Sequence, residues 1–160
     1  MTSMRNRAIE GIMEGDIFSF SRTFTEDDVI QFADISMDYN PVHLEDRFAK
    51  VKNFQTRICH GLLVGSMLTA IGGQMGFLAS YMDFVFKNPV YIGDTVSCRW
   101  TFTEIDERGR AKAEVEFNNQ DGVIVLTATV KGIIPGSMER AIMNTMIEEG
   151  DPTNKLSQRM

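Results

Sequence analysis

Histidine and cysteine are scarce in this chain: its 160 residues hold two of each, His43, His60, Cys59 and Cys98. The two cysteines show no metal-ligand spacing and one pair does not make a disulfide framework, so reduced thiols in a cytoplasmic protein are expected. No basic run is present: 16 Lys and Arg stand against 22 Asp and Glu, for a net charge of -6. That balance argues against a nucleic-acid partner. Met1 to Asp16 lacks an apolar core of the kind a secretory signal needs. Asp, Glu, Lys and Arg are also missing from residues 58 to 82, a run long enough to span a bilayer. Yet that run carries His60, Ser66, Thr69, Gln74, Ser80 and five glycines, and its flanks are not basic. A buried core helix is expected there, and no membrane span. P-loop, dinucleotide and nucleophile-elbow motifs are absent, as are internal repeats.

What is present reads as one domain. Phe18, Phe20 and Phe24 share one parity against Ser19, Ser21 and Thr23, the pattern of a half-buried strand. Thr25 with Asp28 three residues on forms a capping signal, and Phe24 and Val29 are placed as a hydrophobic staple. The spacing predicts a helix over Glu26 to Ser36 that buries Val29, Ile30, Phe32 and Ala33 and delivers Asp38 to a defined place. A short helix is expected over Glu45 to Lys50, with Phe48 and Ala49 inward. Gly61 to Tyr81 reads as the central helix, apolar nearly all round. Its glycines disfavour a helix unless something packs close to the backbone, and Gly72-Gly73 is a candidate kink.

The second half alternates. Val96, Cys98, Trp100 and Phe102, then Ala111, Ala113, Val115 and Phe117, then Ile124, Leu126, Ala128 and Val130 each form one apolar face. Phe84 and Phe86 belong to a further strand ending at Asn88-Pro89. Only the central helix is apolar enough to cover such a sheet, so the fold class is α+β: a curved antiparallel sheet wrapped around a long helix. Ser137 is a candidate cap for a last helix with Met138, Ile142 and Met146 on one stripe and Gly150 as its stop. Asp151 to Met160 is expected to be loose.

Both histidines lie in the stretch from Asp38 to Gly61. Histidine titrates near neutrality, so proton transfer is sought here first. Asn40-Pro41 is a turn signal, and Pro41 biases Asn40 away from helix. Asp38 and His43 therefore flank a bend that can bring a carboxylate and an imidazole to one water molecule; the plainer alternative is a turn cap beside a half-buried histidine. Gly61 opens a helix whose free amides can stabilise an oxyanion or enolate. For His60 the simpler reading is capping or packing at the helix start. Two histidines and a carboxylate also form a known iron set, but the long loop before His60 offers no template for one. A Cys59–His60 nucleophile is weaker still, because adjacent side chains point apart. The 11 methionines are read as fillers of gaps in the core.

Three blocks occur in a telling order: Phe24-Thr25-Glu26-Asp27-Asp28 through Asp38-Tyr39-Asn40-Pro41-Val42-His43, then Arg57-Ile58-Cys59-His60-Gly61-Leu62-Leu63, then Pro89-Val90-Tyr91-Ile92-Gly93-Asp94-Thr95-Val96. Together they resemble the MaoC-like (R)-specific enoyl-CoA hydratases, and Asp-x-Asn-Pro-x-His is the most specific element. The resemblance implies a hot-dog fold over residues 16–134; outside it, 1–15 read as a poorly ordered lead-in and 135–160 as a helix and tail. It implies that Asp38, as base, and His43 activate a water that adds to a trans-2-enoyl thioester, giving the (R)-3-hydroxyacyl thioester. Asn40 would orient the pair, and Gly61, with His60, would form the thioester and oxyanion site. No cofactor or metal is implied. The partners implied are an acyl-CoA or acyl carrier protein thioester and a second copy of the chain, as a homodimer or higher oligomer. A hot-dog thioesterase and a non-catalytic acyl-CoA-binding module are the rival readings. Met37 stands where the family often has Gly, and Cys59 where a smaller residue is common, departures that bear on substrate shape.

Overall fold

The computed structural model describes residues 3–156. Its elements run α1 (Met4–Glu10), β1 (Ile17–Thr23), α2 (Glu26–Ser36), α3 (Pro41–Leu44), α4 (Asp46–Val51), α5 (Gly61–Met75), β2 (Leu78–Phe86), β3 (Thr95–Ile105), β4 (Arg110–Asn118), β5 (Ile124–Ile133) and α6 (Ser137–Glu148). The five strands form one sheet in the order β1-β3-β4-β5-β2, and every pairing is antiparallel. One face of this sheet packs on α5. Cys98, Trp100, Phe102, Phe117 and Val130 from the strands and Met67, Leu68 and Ile71 from the helix are all at most 1% exposed. The helix-in-sheet architecture expected from alternation is the one observed.

Close packing explains two of the helix glycines. A Cβ at Gly65 would lie 3.0 Å from the ring of Phe84, and one at Gly61 would collide with Phe86. β2 thus lies almost on the backbone of α5. The Gly72-Gly73 pair does not break the helix, which runs on to Met75 and ends at Gly76 in the left-handed conformation (φ 71°). That ending corrects the expected helix over Gly61 to Tyr81. Leu78 to Tyr81 are already strand, because Gly76 turns the chain and the apolar residues after it pair with β5.

Both terminal expectations are corrected as well. The lead-in contains α1, where Ser3 caps the helix and Met4, Arg5 and Ala8 are buried. Arg5 donates from Nε to the Gln74 carbonyl at 3.0 Å and from Nη2 to the Gly73 carbonyl at 3.2 Å, so a cation sits on the C-terminus of α5. It also pairs with Asp151 and donates to Thr153 Oγ1 at 2.7 Å. Gln74 Nε2 donates to the Thr153 carbonyl at 3.0 Å. Residues 151–156 are therefore strapped to α1 and α5; the rest of the tail expected to be loose lies outside the described residues. In α6 the first capping position is Gly136, whose N–H donates to Glu139, and not Ser137. Met143 faces the core, while Met138 and Ile142 of the expected stripe are 82% and 64% exposed. Ile30 and Phe48, expected inward, are likewise at the surface. Among the described residues no helix is long and apolar enough to cross a membrane.

Candidate active site

The sequence folds locally so that three turns converge. Thr25 and Asp28 form the reciprocal capping box that starts α2, Asp28 also pairing with Arg22 at 2.6 Å. α2 ends at Met37 in the left-handed conformation (φ 61°), an uncommon state for a residue with a Cβ. The chain is thereby reversed just before Asp38. Asn40 then caps α3: its Oδ1 accepts from the Val42 N–H at 3.1 Å, with Pro41 in the first turn. Its own N–H donates to Asp38 Oδ1 at 3.2 Å. Asn40 thus ties the carboxylate to the one-turn helix that carries His43.

His43 is buried, and its Nδ1–H donates to the Ile58 carbonyl at 2.7 Å. That bond fixes the tautomer with the Nε2 lone pair outward. Nε2 lies 3.8 Å from Asp38 Oδ2. The gap is too wide for a direct hydrogen bond and suits one water oxygen within bonding distance of both atoms. The Ile58 carbonyl is itself held, since Ile58 bridges to Tyr91 and the Cys59 N–H donates to the Val90 carbonyl at 2.7 Å. Arg57 secures the same loop through Glu26 at 2.9 Å and Asp46 at 3.5 Å.

Asp38, His43, His60 and Gly61 all line one cavity of about 600 Å³, whose remaining wall is mostly apolar, with Phe32, Phe54, Leu62, Val64, Phe86 and Val90 among its residues. Gly61 is the first residue of α5, and the preceding His60 gives its helix no side-chain cap. The amides of the first turn have no partner within the helix and carry its positive end toward this cavity. His60 itself is not placed as an oxyanion donor. It is 2% exposed, and its Nε2–H is committed to the Asp38 backbone carbonyl at 3.0 Å. Burial holds its pKa below the ordinary histidine value, with the nearby His43 acting in the same direction. Phe86, which sequence reading did not assign to the site, closes over Gly61. The matched spacing of Gly61/Gly65 and Phe84/Phe86 was the available signal.

Two sequence alternatives fare poorly. Ligand atoms of Asp38, His43 and His60 lie within 4.8 Å of one another. However, the two imidazoles are stacked, 3.8 Å apart with planes 27° apart, so their lone pairs run side by side instead of meeting at an ion. Cys59 is buried and its thiol is pushed up to about 12, first by burial and then by Asp94 and Asp28, which leaves it a poor nucleophile.

A five-stranded antiparallel sheet around one helix, with Asp38 and His43 facing each other beside the helix N-terminus, defines a hot-dog domain. Residues 13–123 match the MaoC like domain, and the chain belongs to that family. It is 39% identical over 98 residues to the (R)-specific enoyl-CoA hydratase of Rhodospirillum rubrum, covering 59% of this chain and 68% of the relative. It is 29% identical to the mitochondrial 3-hydroxyacyl-[acyl-carrier-protein] dehydratase of Arabidopsis thaliana, over 76% of each chain. The solved (R)-hydratase of A. caviae involved in PHA biosynthesis superposes with a TM-score of 0.74 at 28% identity, over 79% of this chain and 99% of that one.

Proposed function

We propose that this chain is an (R)-specific enoyl-CoA hydratase, adding water reversibly across the 2,3 double bond of trans-2-enoyl thioesters. The observation that carries the chemistry is the 3.8 Å gap between Asp38 Oδ2 and His43 Nε2 inside an apolar cavity. A water donating one hydrogen bond to each acceptor turns its lone pairs toward C3 of a bound substrate. As the C3–O bond forms, the pair takes one proton from the water, with Asp38 as general base. The π electrons move through C2 onto the thioester oxygen, where the Gly61 amide and the α5 dipole hold the enolate. The same proton is returned to C2, so H and OH are added and the pair ends as it began. The reaction needs no change of oxidation state, and we assign it no cofactor or metal. Asn40 contributes by holding Asp38 and capping the His43 turn.

The carrier is a CoA or acyl-carrier-protein thioester; relatives bearing each name are similar to this chain. We also infer a homodimer, formed at β2. This strand is at the edge of the sheet and exposes Leu78, Tyr81, Met82, Val85 and Phe86. A long apolar edge of that kind is covered in a stable protein. The cytoplasmic setting belongs to this proposal too, in keeping with the free thiols of Cys59 and Cys98.

The test is to mix the purified protein with crotonyl-CoA, follow the enoyl-thioester absorbance, and trap product with (R)- and (S)-specific 3-hydroxyacyl-CoA dehydrogenases. Loss of absorbance with (R) product is expected. Release of free thiol in its place would favour a thioesterase, and inertness across a panel of enoyl thioesters would favour a binding module.

A further inference from the structure

His60 touches both members of the acid–base pair through atoms that take no part in proton transfer. Its Nε2–H donates to the Asp38 carbonyl at 3.0 Å, joining α5 to the Asp38 turn across 22 residues of sequence. Its ring stacks on His43 at a centroid distance of 3.8 Å and 27° between planes. Phe32 backs the ring from α2 at 4.9 Å.

We propose, on the basis of the function above, that His60 is the positioning residue of the pair: its N–H anchors the Asp38 backbone and its face sets the plane of His43. Each contact supplies a restraint that the rest of the site lacks. Asp38 follows the end of α2 in irregular backbone, and its side chain is 49% exposed. Its other backbone bond is a short-range one, from its N–H to Ser36 Oγ at 3.2 Å. His43 is pinned at one ring atom by the Ile58 carbonyl. That bond still tolerates some rotation of the ring about Cβ–Cγ, and a second ring lying flat against the first narrows it. With the plane set, Nε2 stays directed at Asp38 Oδ2. The role suits a neutral imidazole. Nε2 carries the proton, and Nδ1 is buried without a hydrogen-bond partner among the described residues, so a second proton would find no acceptor there.

Two variants separate the two contacts. His60→Phe keeps a ring on His43 and removes the N–H; His60→Gln keeps a side-chain N–H and removes the ring. The chain has two histidines, so long-range proton–nitrogen spectra of 15N-histidine protein contain two ring systems. His43 is expected as the Nδ1–H tautomer in all three proteins, because the Ile58 carbonyl accepts that proton in each. Its ring signals are expected to be sharp in the wild type and in His60→Phe, and exchange-broadened in His60→Gln, which lacks the stacked ring. In both variants kcat for crotonyl-CoA is expected to fall by about ten- to a hundredfold, with KM within about threefold. Wild-type kcat in both variants, or His43 ring signals as sharp in a folded His60→Gln as in the wild type, would overturn the proposal. A merely structural role would lower the melting temperature and leave both readouts in place. The spectra need no substrate, so a wild-type protein inert toward enoyl thioesters would refute the hydratase reading while the His43 line widths still decide the role of His60.

Discussion

The ring of Phe86 rests on the backbone of Gly61: a Cβ added at Gly61 would lie 2.5 Å from the ring, far inside van der Waals contact. The amide proposed to hold the enolate is thus positioned by a ring, that of Phe86, at the far end of the following strand. Gly61→Ala must displace either the ring or the first turn of α5. It is expected to cost about 1–3 kcal/mol, toward the lower end because the Phe86 ring is partly exposed, and to lower kcat/KM by about tenfold or more. Adding Phe86→Leu to Gly61→Ala should recover the melting temperature. Chemical denaturation and steady-state kinetics check both halves.

In the proposed mechanism Asp38 and His43 act on one water molecule, so their losses should not add. Asp38→Asn and His43→Ala are each expected to lower kcat by about 10²–10⁴-fold. The double variant should be little worse than the poorer single one, as for groups that work as a unit. Full additivity in the rates would show that the two residues act on separate steps.

His60 makes stability depend on pH. Its folded-state pKa lies below the unfolded value because burial penalises the charged ring; Asp38 and His43 are the titratable groups facing it. Below about pH 6.5 the unfolded chain binds a proton that the folded one resists, so stability is full above that pH and falls as pH drops toward the folded value. Urea midpoints across this range should show a slope in the wild type that is flatter in His60→Phe.

The strap between the chain ends is far from the chemistry. Arg5 contacts the C-terminus of α5, and the 15 residues of that helix place it roughly 20 Å from Gly61. Arg5→Ala leaves the Asp151 carboxylate without its cation and removes the guanidinium's hydrogen bonds to the Gly73 and Gln74 carbonyls. The melting temperature should drop by several degrees while kcat at 25 °C stays unchanged. Thermal scans alongside initial rates test this.

The β2 edge should govern assembly. Val85 is 50% exposed on that strand, and Val85→Lys puts a charge where a second copy would pair. Sedimentation is expected to report a dimer for the wild type and a monomer for the variant; equal masses would place any interface elsewhere.

Much of this architecture was legible in the residues, for local reasons. The Thr25/Asp28 capping box fixed the start of α2 to the residue, and strict alternation marked β3, β4 and β5 with the correct inward faces. The Asn-Pro bend pointed to Asp38 and His43 because turn chemistry is local. What escaped depended on distant partners. The end of α5 was misplaced because residues 76 to 82 are as apolar as the helix, and only pairing with β5 makes them strand. The terminal segments looked loose because the order of Arg5 and Asp151 arises from each other, 146 residues apart. His60 read as a cap from its place before the helix, whereas its side chain turns back to Asp38, a contact that no spacing encodes.

The most direct test of the account is to incubate crotonyl-CoA with the protein in D2O and analyse the thioester product by mass and by enantiospecific dehydrogenases. The account predicts (R)-3-hydroxybutyryl-CoA carrying one deuterium at C2, formed by the wild type and almost abolished in Asp38→Asn. Crotonic acid with free CoA thiol, or hydration undiminished in Asp38→Asn, would contradict it.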